Sequence, residues 1–289
     1  MSVRQALARQ GLDGVTLLLL PAAIFIIALF IYPFLYGLVL SFQPKLGGVF
    51  ANYAKFFADP FLYDTIGKTL WLAVPVTVMN VAFSVPVALR VRLMRNPRLL
   101  TTILVIPITL GTVLVAEGML NYFGPRGWFN RTLIEFGLSA SPIRLIHNYW
   151  GVFLSLVITG FPFTFLLTLS YVTGIDPALE QAGAMLGARG WERFKTIILP
   201  LLIPGLMITF CLSFVQAFSV FPSAVLLGAP AGDTRVISVA AYTAAFEEYD
   251  YSMASAIAMI MAFVQVVIVT ALLGAQSLFY RGPAGGGKG

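Results

Sequence analysis

The sequence predicts an all-α membrane protein that crosses the bilayer six times. Apolar residues make up 59% of its 289 residues and charged residues only 10%, against roughly a quarter charged in ordinary soluble domains. Long runs with few or no charged residues are each long enough to cross about 30 Å of hydrocarbon as a helix. The single cysteine, Cys211, lies within one of these runs, so no internal disulfide can form.

The first two spans differ in how clearly their ends are marked. Residues 1–13 are expected to form a short helix on the membrane surface, and residues 14–44, which carry no charge, form the first span. Charges, aromatics and a proline indicate an external loop at 45–68, before a second span at about 69–89 that contains Asn80. Four arginines then crowd one short turn: Arg90, Arg92, Arg95 and Arg98.

The other four spans follow the same pattern of apolar runs. They are predicted at residues 99–122, 149–172, 201–227 and 253–280. Two polar stretches, at 123–148 and 228–251, are expected on the outer side. We expect the Gly-rich tail after residue 280 to be disordered.

The distribution of basic residues sets the orientation. Six spans place both termini on one side, and that side carries eleven of the 18 lysines and arginines. Because basic residues concentrate in cytoplasmic loops, both termini and the loop at 176–200 are predicted to face the cytoplasm. The net charge of +6 lies beside hydrophobic runs and not on a soluble basic face, so we expect no nucleic-acid partner.

The loop between the fourth and fifth spans, residues 176–200, keeps a helical pattern throughout. Asp176 is a suitable N-cap, Pro177 suits the first helical position, and Gly187 is a natural stop. One face of the first short helix is predicted to carry Leu179, Ala182 and Leu186. After the stop, a second short helix is predicted to share a face among Trp191, Phe194 and Ile198, until Pro200 marks the start of the next span.

Within this loop, Gln181-Ala182-Gly183 is followed by Gly187, Ile197 and Leu199-Pro200. This spacing resembles the EAA loop of permease subunits in binding-protein-dependent ATP-binding-cassette (ABC) importers. The pattern of that loop is Glu-Ala-Ala, three residues, Gly, nine residues, Ile, one residue and Leu-Pro. Gln181 stands where the family has glutamate and Gly183 where it has alanine, although Glu180 lies just before. Glutamine carries no charge, so position 181 would not make the salt bridge of the motif glutamate.

The resemblance implies a six-helix permease of the MetI-like type whose loop docks into a cleft on a separate ATPase. Closure of the ATPase dimer would move the first loop helix rigidly and rock the third to fifth spans. The docking surface implied by the resemblance consists of Leu179, Glu180, Gln181, Ala182, Gly183, Leu186, Gly187, Arg189, Trp191 and Phe194. Arg193 and Lys195 would add to its polar rim.

The resemblance also implies a set of partners in a bacterial cytoplasmic (inner) membrane. These are a second permease subunit in a heterodimer, two ABC ATPase subunits that bind ATP and magnesium, an extracytoplasmic solute-binding protein, and membrane lipid. This chain itself is not expected to be an enzyme. Its nearest match to a P-loop, at residues 282–288, has glycine where Ser or Thr should hold magnesium, and no strand precedes it. No other spacing predicts a catalytic, cofactor-binding or metal site.

Glu117, Asn80 and Gln216 are the candidates for the substrate path. Glu117 is the only ionisable residue within a predicted span, and exposure to lipid would be costly. It either attracts a cationic solute or pairs with Arg126 or a partner chain. Asn80, Gln216 and Gln265 could equally form hydrogen bonds between helices.

The substrate prediction rests on a looser resemblance. Residues 234–238 and 250–252 resemble permeases for polyamines, iron, opines and some small anions. A polyamine or similar small organic cation is therefore the predicted solute, with an anion, iron or a sugar as alternatives. An ATP-independent channel or secondary transporter is the alternative from another class, and an intramembrane enzyme is a third.

Overall fold

The computed structural model describes residues 20–279. Over this range the chain is largely helical and contains no β-strand. Six helical stretches within it are long and apolar enough to cross a membrane. The predicted surface helix at 1–13, the start of the first span and the C-terminal tail lie outside the described residues.

We number the α-helices in chain order. The first seven are α1 (Leu20–Ile26), α2 (Tyr32–Ser41), α3 (Ala51–Ala58), α4 (Pro60–Arg92), α5 (Arg98–Phe123), α6 (Trp128–Glu135) and α7 (Tyr149–Thr173). The others are α8 (Pro177–Met185), α9 (Gly190–Arg193), α10 (Leu199–Phe218), α11 (Pro222–Leu227), α12 (Ile237–Tyr242) and α13 (Tyr251–Phe279). Among residues 20–279, π-helical turns at Ile27–Ile31 and Phe194–Ile198 join neighbouring helices, and a third at Thr243–Glu247 extends α12.

Two of the π turns carry the helix through a proline. Pro33 and Pro200 lack an N–H, and each ring would clash with the carbonyl four residues earlier in a regular α-helix. The turn before the proline is therefore a wider π turn. Before Pro200, for example, the Leu199 N–H donates to the carbonyl of Phe194, five residues earlier. The sequence places the start of the fifth span at residue 201, directly after Pro200, whereas the helix runs without a break from Gly190 to Phe218.

The second span begins earlier than predicted. Helix α4 starts at Pro60 rather than near residue 69 and ends at Arg92. Its first turns are stabilised by an ion pair between Asp64 and Lys68 at 3.0 Å and by a hydrogen bond from the Thr69 hydroxyl. The charges that suggest a loop therefore lie on a helical extension of the span.

The fifth span ends earlier than predicted. Helix α10 stops at Phe218, and the predicted span continues to residue 227 only as the separate short helix α11. Proline at 222 cannot donate a helical hydrogen bond and disfavours helical geometry at the residue before it. Accordingly Phe221 has φ −133° and ψ −60°, outside the helical region. This break at 219–221 leaves backbone and serine side chains beside a cavity described below.

The third and fourth spans match helices α5 and α7 to within one residue at each end, and α13 begins two residues before the predicted sixth span and continues to the last described residue. Helix α5 is kinked at Gly111, whose φ is +74°. The two stretches predicted on the outer side contain the short helices α6 and α12.

By their contacts the described residues form two compact units. The first comprises the residues up to Asp59 together with Ala241–Ile260. In it, the Asn52 amide donates to the Ser41 carbonyl at 3.0 Å and to the Ser252 hydroxyl at 2.7 Å. The Ser252 hydroxyl donates in turn to a carbonyl of α2 at 3.0 Å. These bonds join the end of α2, helix α3 and the start of α13.

The second unit comprises Pro60–Ala240 together with the described residues from Met261. Helix α7 lies at its centre and packs against α4, α5 and α10. Buried hydroxyl pairs join these helices: Ser84 with Thr168 at 2.8 Å, Thr164 with Ser213 at 2.7 Å, and Ser155 with Ser223 of α11 at 2.9 Å. Such pairs replace contacts that water would make in a soluble protein. The prediction of a single transmembrane domain stays a prediction.

Candidate functional site

Helix α8 begins and ends at the predicted residues. The Asp176 carboxylate caps it by accepting a hydrogen bond from the Ala178 N–H at 2.8 Å. At the other end Gly187 has φ +87°, a left-handed conformation that favours glycine. The N–H groups of Gly187 and Ala188 donate to carbonyls of α8 at 3.0 Å each. This Schellman motif satisfies the last carbonyls of the helix and turns the chain back.

Helix α8 and the residues that follow it carry several exposed apolar side chains. The exposed fractions are 46% for Leu179, 83% for Met185, 89% for Leu186 and 71% for Trp191. Three of these four were predicted, and the helical spacing used for that prediction passes over Met185. Several exposed apolar residues on one short helix and the residues after it are typical of a segment that meets a partner.

A narrow stripe of α8 packs against the returning chain. Gly183 is buried, and a Cβ added to it would lie 2.7 Å from the Cδ1 of Ile197. Because Gly183 has no side chain, the two halves of the loop can pack closely against each other at this position. The sequence instead predicts that Gly183 contacts the docked ATPase. Arg193 also faces α8 and donates to the Glu180 carbonyl at 3.5 Å. The ring of Phe194 stacks on Trp191 with centroids 5.3 Å apart.

Glu180 forms an ion pair within the chain. Its Oε1 accepts a hydrogen bond from the Nη1 of Arg92 at 2.7 Å, and the side chains are 24% and 10% exposed respectively. The sequence places Glu180 on the rim of the docking surface, and groups Arg92 with three other arginines of the same turn. Those three, Arg90, Arg95 and Arg98, are exposed, and so are Gln181 and Arg189. Sequence reasoning missed the pair because 88 residues separate its members.

A second feature is a cavity of about 300 Å³ bounded by α4, α5, α7, α10 and the break at 219–221. Its polar lining consists of Asn80, Thr112, Thr159, Ser213, Gln216, Ser219 and Ser223. Each of these side chains is uncharged. The lining can therefore donate and accept hydrogen bonds without a formal charge of its own.

Asn80 is the most buried amide of this lining. It is 2% exposed, and its Nδ2 donates to the Leu156 carbonyl at 3.5 Å. Its Oδ1 has no hydrogen-bond partner among the described residues. Gly160 leaves room for it, because a Cβ there would lie 2.7 Å from the Nδ2. An unpaired buried carbonyl oxygen is a favourable place for a donor group of a solute or of water.

The structure brings together two of the three predicted path residues. Gln216 lines the cavity with Asn80, whereas Glu117 is exposed on α5 and does not line it. One alternative from the sequence is an ion pair between Glu117 and Arg126. Among residues 20–279, no such ion pair is present. Gln265 donates to the Val215 carbonyl at 3.3 Å and to the Ser219 hydroxyl at 2.8 Å. It therefore joins α13 to α10.

No protein-family model matches the chain. Curated proteins do match it. The molybdenum transport system permease protein ModB of Escherichia coli (strain K12) is 30% identical over 190 residues, which cover 63% of this chain and 81% of ModB. The chain belongs to the permease subunits of ABC importers. The sulfate transport system permease protein CysT of the same bacterium is 25% identical over 277 residues, 95% of this permease and 96% of CysT. The spermidine/putrescine transport system permease protein PotB of Haemophilus influenzae is 29% identical over 206 residues, 68% of the permease and 71% of PotB.

Solved structures share the fold of the permease. A chain of a bacterial ABC transporter involved in the import of the acidic polysaccharide alginate aligns over 95% of the permease and 98% of its own length, with TM-score 0.78 and 21% identity. A chain of the MetNI methionine ABC transporter aligns over 76% of the permease and 97% of its own length, with TM-score 0.61 and 15% identity. The predicted all-helical MetI-like fold is thus confirmed. The permease is a multi-pass inner-membrane protein and a transporter subunit rather than an enzyme.

Proposed function

We propose that the permease couples ATP hydrolysis on a separate subunit to the import of a small polar solute, and that α8 is its docking element. One observation carries this proposal. Helix α8 is fixed to the membrane helices on one side, through Gly183 and the Arg92–Glu180 pair. Over the rest of its surface it exposes Leu179, Met185 and Leu186. A helix that is attached along one stripe and exposes apolar residues elsewhere is suited to receive force from a docked partner.

The proposed assembly contains two ATPase copies, which supply the sites for ATP and magnesium. It also contains a second permease in a heterodimer and an extracytoplasmic solute-binding protein. Glu117 supports the second permease, because an exposed carboxylate on a membrane-spanning helix is costly in lipid and favourable beside a partner or a water-filled path. The structurally similar alginate transporter forms a complex with a periplasmic protein. Both termini are proposed to face the cytoplasm, as the basic residues indicate.

The proposed path for the solute passes Asn80, Gln216 and Glu117. An organic cation of the polyamine class is the solute favoured by Glu117, and PotB is named for spermidine and putrescine. A small oxyanion is the second candidate, since the cavity offers only uncharged hydroxyl and amide groups. Such neutral donors stabilise oxyanions in enzyme active sites. CysT and ModB are named for sulfate and molybdenum.

The experiment that tests this function uses the importer expressed from its complete gene set. The complex is purified through a tag on the permease and placed in liposomes with its binding protein. We expect an ATPase subunit to co-purify, and uptake to require both ATP and the binding protein. Uptake of putrescine, sulfate and molybdate is compared in the same preparation. Solute movement by the permease alone, without an ATPase, would contradict the proposal and favour a channel or secondary transporter.

A further inference from the structure

Arg92 holds the start of α8 at two points. It is the last residue of α4, and its Nη1 donates to the Glu180 carboxylate at 2.7 Å. Its Nη2 donates to the carbonyl of Ile175 at 2.9 Å. Ile175 directly precedes Asp176, the residue that caps α8. One guanidinium therefore binds both the residue before the helix and the first turn of the helix itself.

This contact differs from an ordinary surface ion pair. The Arg92 side chain is only 10% exposed, and a charge-assisted hydrogen bond is stronger where water is largely excluded. The planar fork of the guanidinium can reach two acceptors at once, which the single ammonium of a lysine does less well. Arg90 and Arg95, in the same turn, are exposed and serve as matched comparisons.

Helix α4 connects this contact to the cavity. It is continuous from Pro60 to Arg92, and both Val76 and Asn80 line the cavity. At a rise of 1.5 Å per residue these positions lie about 24 Å and about 18 Å along the helix from Arg92. A displacement of α8 that pulled on Arg92 would act on the helix that forms one wall of the cavity.

We infer that Arg92 is a positioning residue for coupling, which makes the second span move together with the docking helix. The inference rests on the proposed docking function and adds to it. The family resemblance implies movement of the third to fifth spans, whereas this contact includes the second span. It also gives Glu180 the role of an intramolecular anchor. The fifth span does not depend on the contact, because the loop runs into α10 without a break.

The test follows the two walls of the cavity separately in the complete importer. In a Cys211→Ala background, Val76→Cys reports on α4 and Ala217→Cys reports on α10, since both residues line the cavity. The rate of labelling by a small maleimide is measured without nucleotide and after trapping with ATP and vanadate. With Arg92 present, nucleotide is expected to change the rate at both positions. Arg92→Gln is expected to abolish the change at position 76 and to keep the change at position 217.

Three further variants make the test specific. Arg95→Gln removes an exposed charge from the same turn and should leave both changes intact. Glu180→Gln removes the ion pair but keeps the bond to Ile175, so it tests the contact even if Arg92→Gln fails to assemble. The exchange Arg92→Glu with Glu180→Arg should restore the change at position 76 at least in part.

Two results would overturn the inference. The first is a nucleotide-dependent change at position 76 that persists in both Arg92→Gln and Glu180→Gln. The second is that these two variants lose the nucleotide-dependent change at position 76 and at position 217 together. That result would mean that the Arg92–Glu180 pair only maintains the fold of the loop. If the importer with Arg92 intact showed no change at position 217, the docking function itself would fail, and this inference with it.

Discussion

Gly187 at the end of α8 allows backbone strain to be separated from the contact with a partner. Its φ of +87° is unfavourable for most residues with a side chain, and a Cβ added there would meet no heavy atom within 4 Å. Gly187→Ala and Gly187→Trp therefore carry the same backbone penalty, roughly 1–2 kcal/mol. They differ only in the bulk that projects into open space beside the exposed apolar residues.

The two substitutions should have different effects on docking. The backbone penalty alone weakens ATPase binding by a factor of about 5 to 30 at most, given that about 1.4 kcal/mol corresponds to tenfold. Gly187→Ala should therefore keep measurable ATPase retention and ATP-driven uptake. Gly187→Trp should abolish both ATPase retention and uptake, because an indole at this position would stand between the loop and the docked subunit.

The assay measures how much ATPase subunit co-purifies with each variant, together with uptake in liposomes. Gly187→Asn is the control for backbone strain, since asparagine tolerates the left-handed conformation. Membrane insertion is checked by the yield of folded permease in detergent. Equal retention of the ATPase by the alanine and tryptophan variants would refute the argument that this surface meets a partner.

Three further predictions concern packing, hydrogen bonding and the solute. Gly205→Ala should lower stability by roughly 1–3 kcal/mol in thermal unfolding in detergent, because its Cβ would overlap an aromatic ring of α7. Gly118→Ala, with no heavy atom within 4 Å of the added Cβ, should not lower it. A double-mutant cycle of Thr164→Val and Ser213→Ala should give a coupling of about 0.6 kcal/mol; no coupling would contradict the buried hydrogen bond. Glu117→Gln should weaken putrescine uptake without changing ATP hydrolysis, and unchanged affinity would argue against a place for this residue in the path.

Features set by neighbouring residues could be predicted from the sequence. The cap at Asp176 and the stop at Gly187 depend on local backbone chemistry, and both appear at those positions. The ends of α5 and α7 and the start of α13 follow the change between apolar and polar residues. The start of α4 was missed because Asp64 and Lys68 were interpreted as a loop, although a pair four residues apart stabilises a helix equally well.

The parts of the site that depend on tertiary contacts could not be predicted. No local pattern indicates that Arg92, among four arginines of one turn, would meet Glu180. The cavity depends on the break in the helix before Pro222. From the sequence, this break lies within a continuous apolar run that predicts a single span. Asn80 and Gln216 were selected as polar residues within spans, and only the packing of α4 against α10 brings both to one cavity.

The measurement that tests the docking role of α8 most directly is crosslinking from its exposed end. A photoreactive amino acid is placed at Leu186, which is 89% exposed, and at Leu138 in the predicted outer segment, which is 74% exposed. In membranes that contain the complete importer, position 186 should capture an ATPase subunit, and position 138 should not. Failure to capture an ATPase from position 186, under conditions in which the importer is active, would contradict the proposed docking of α8.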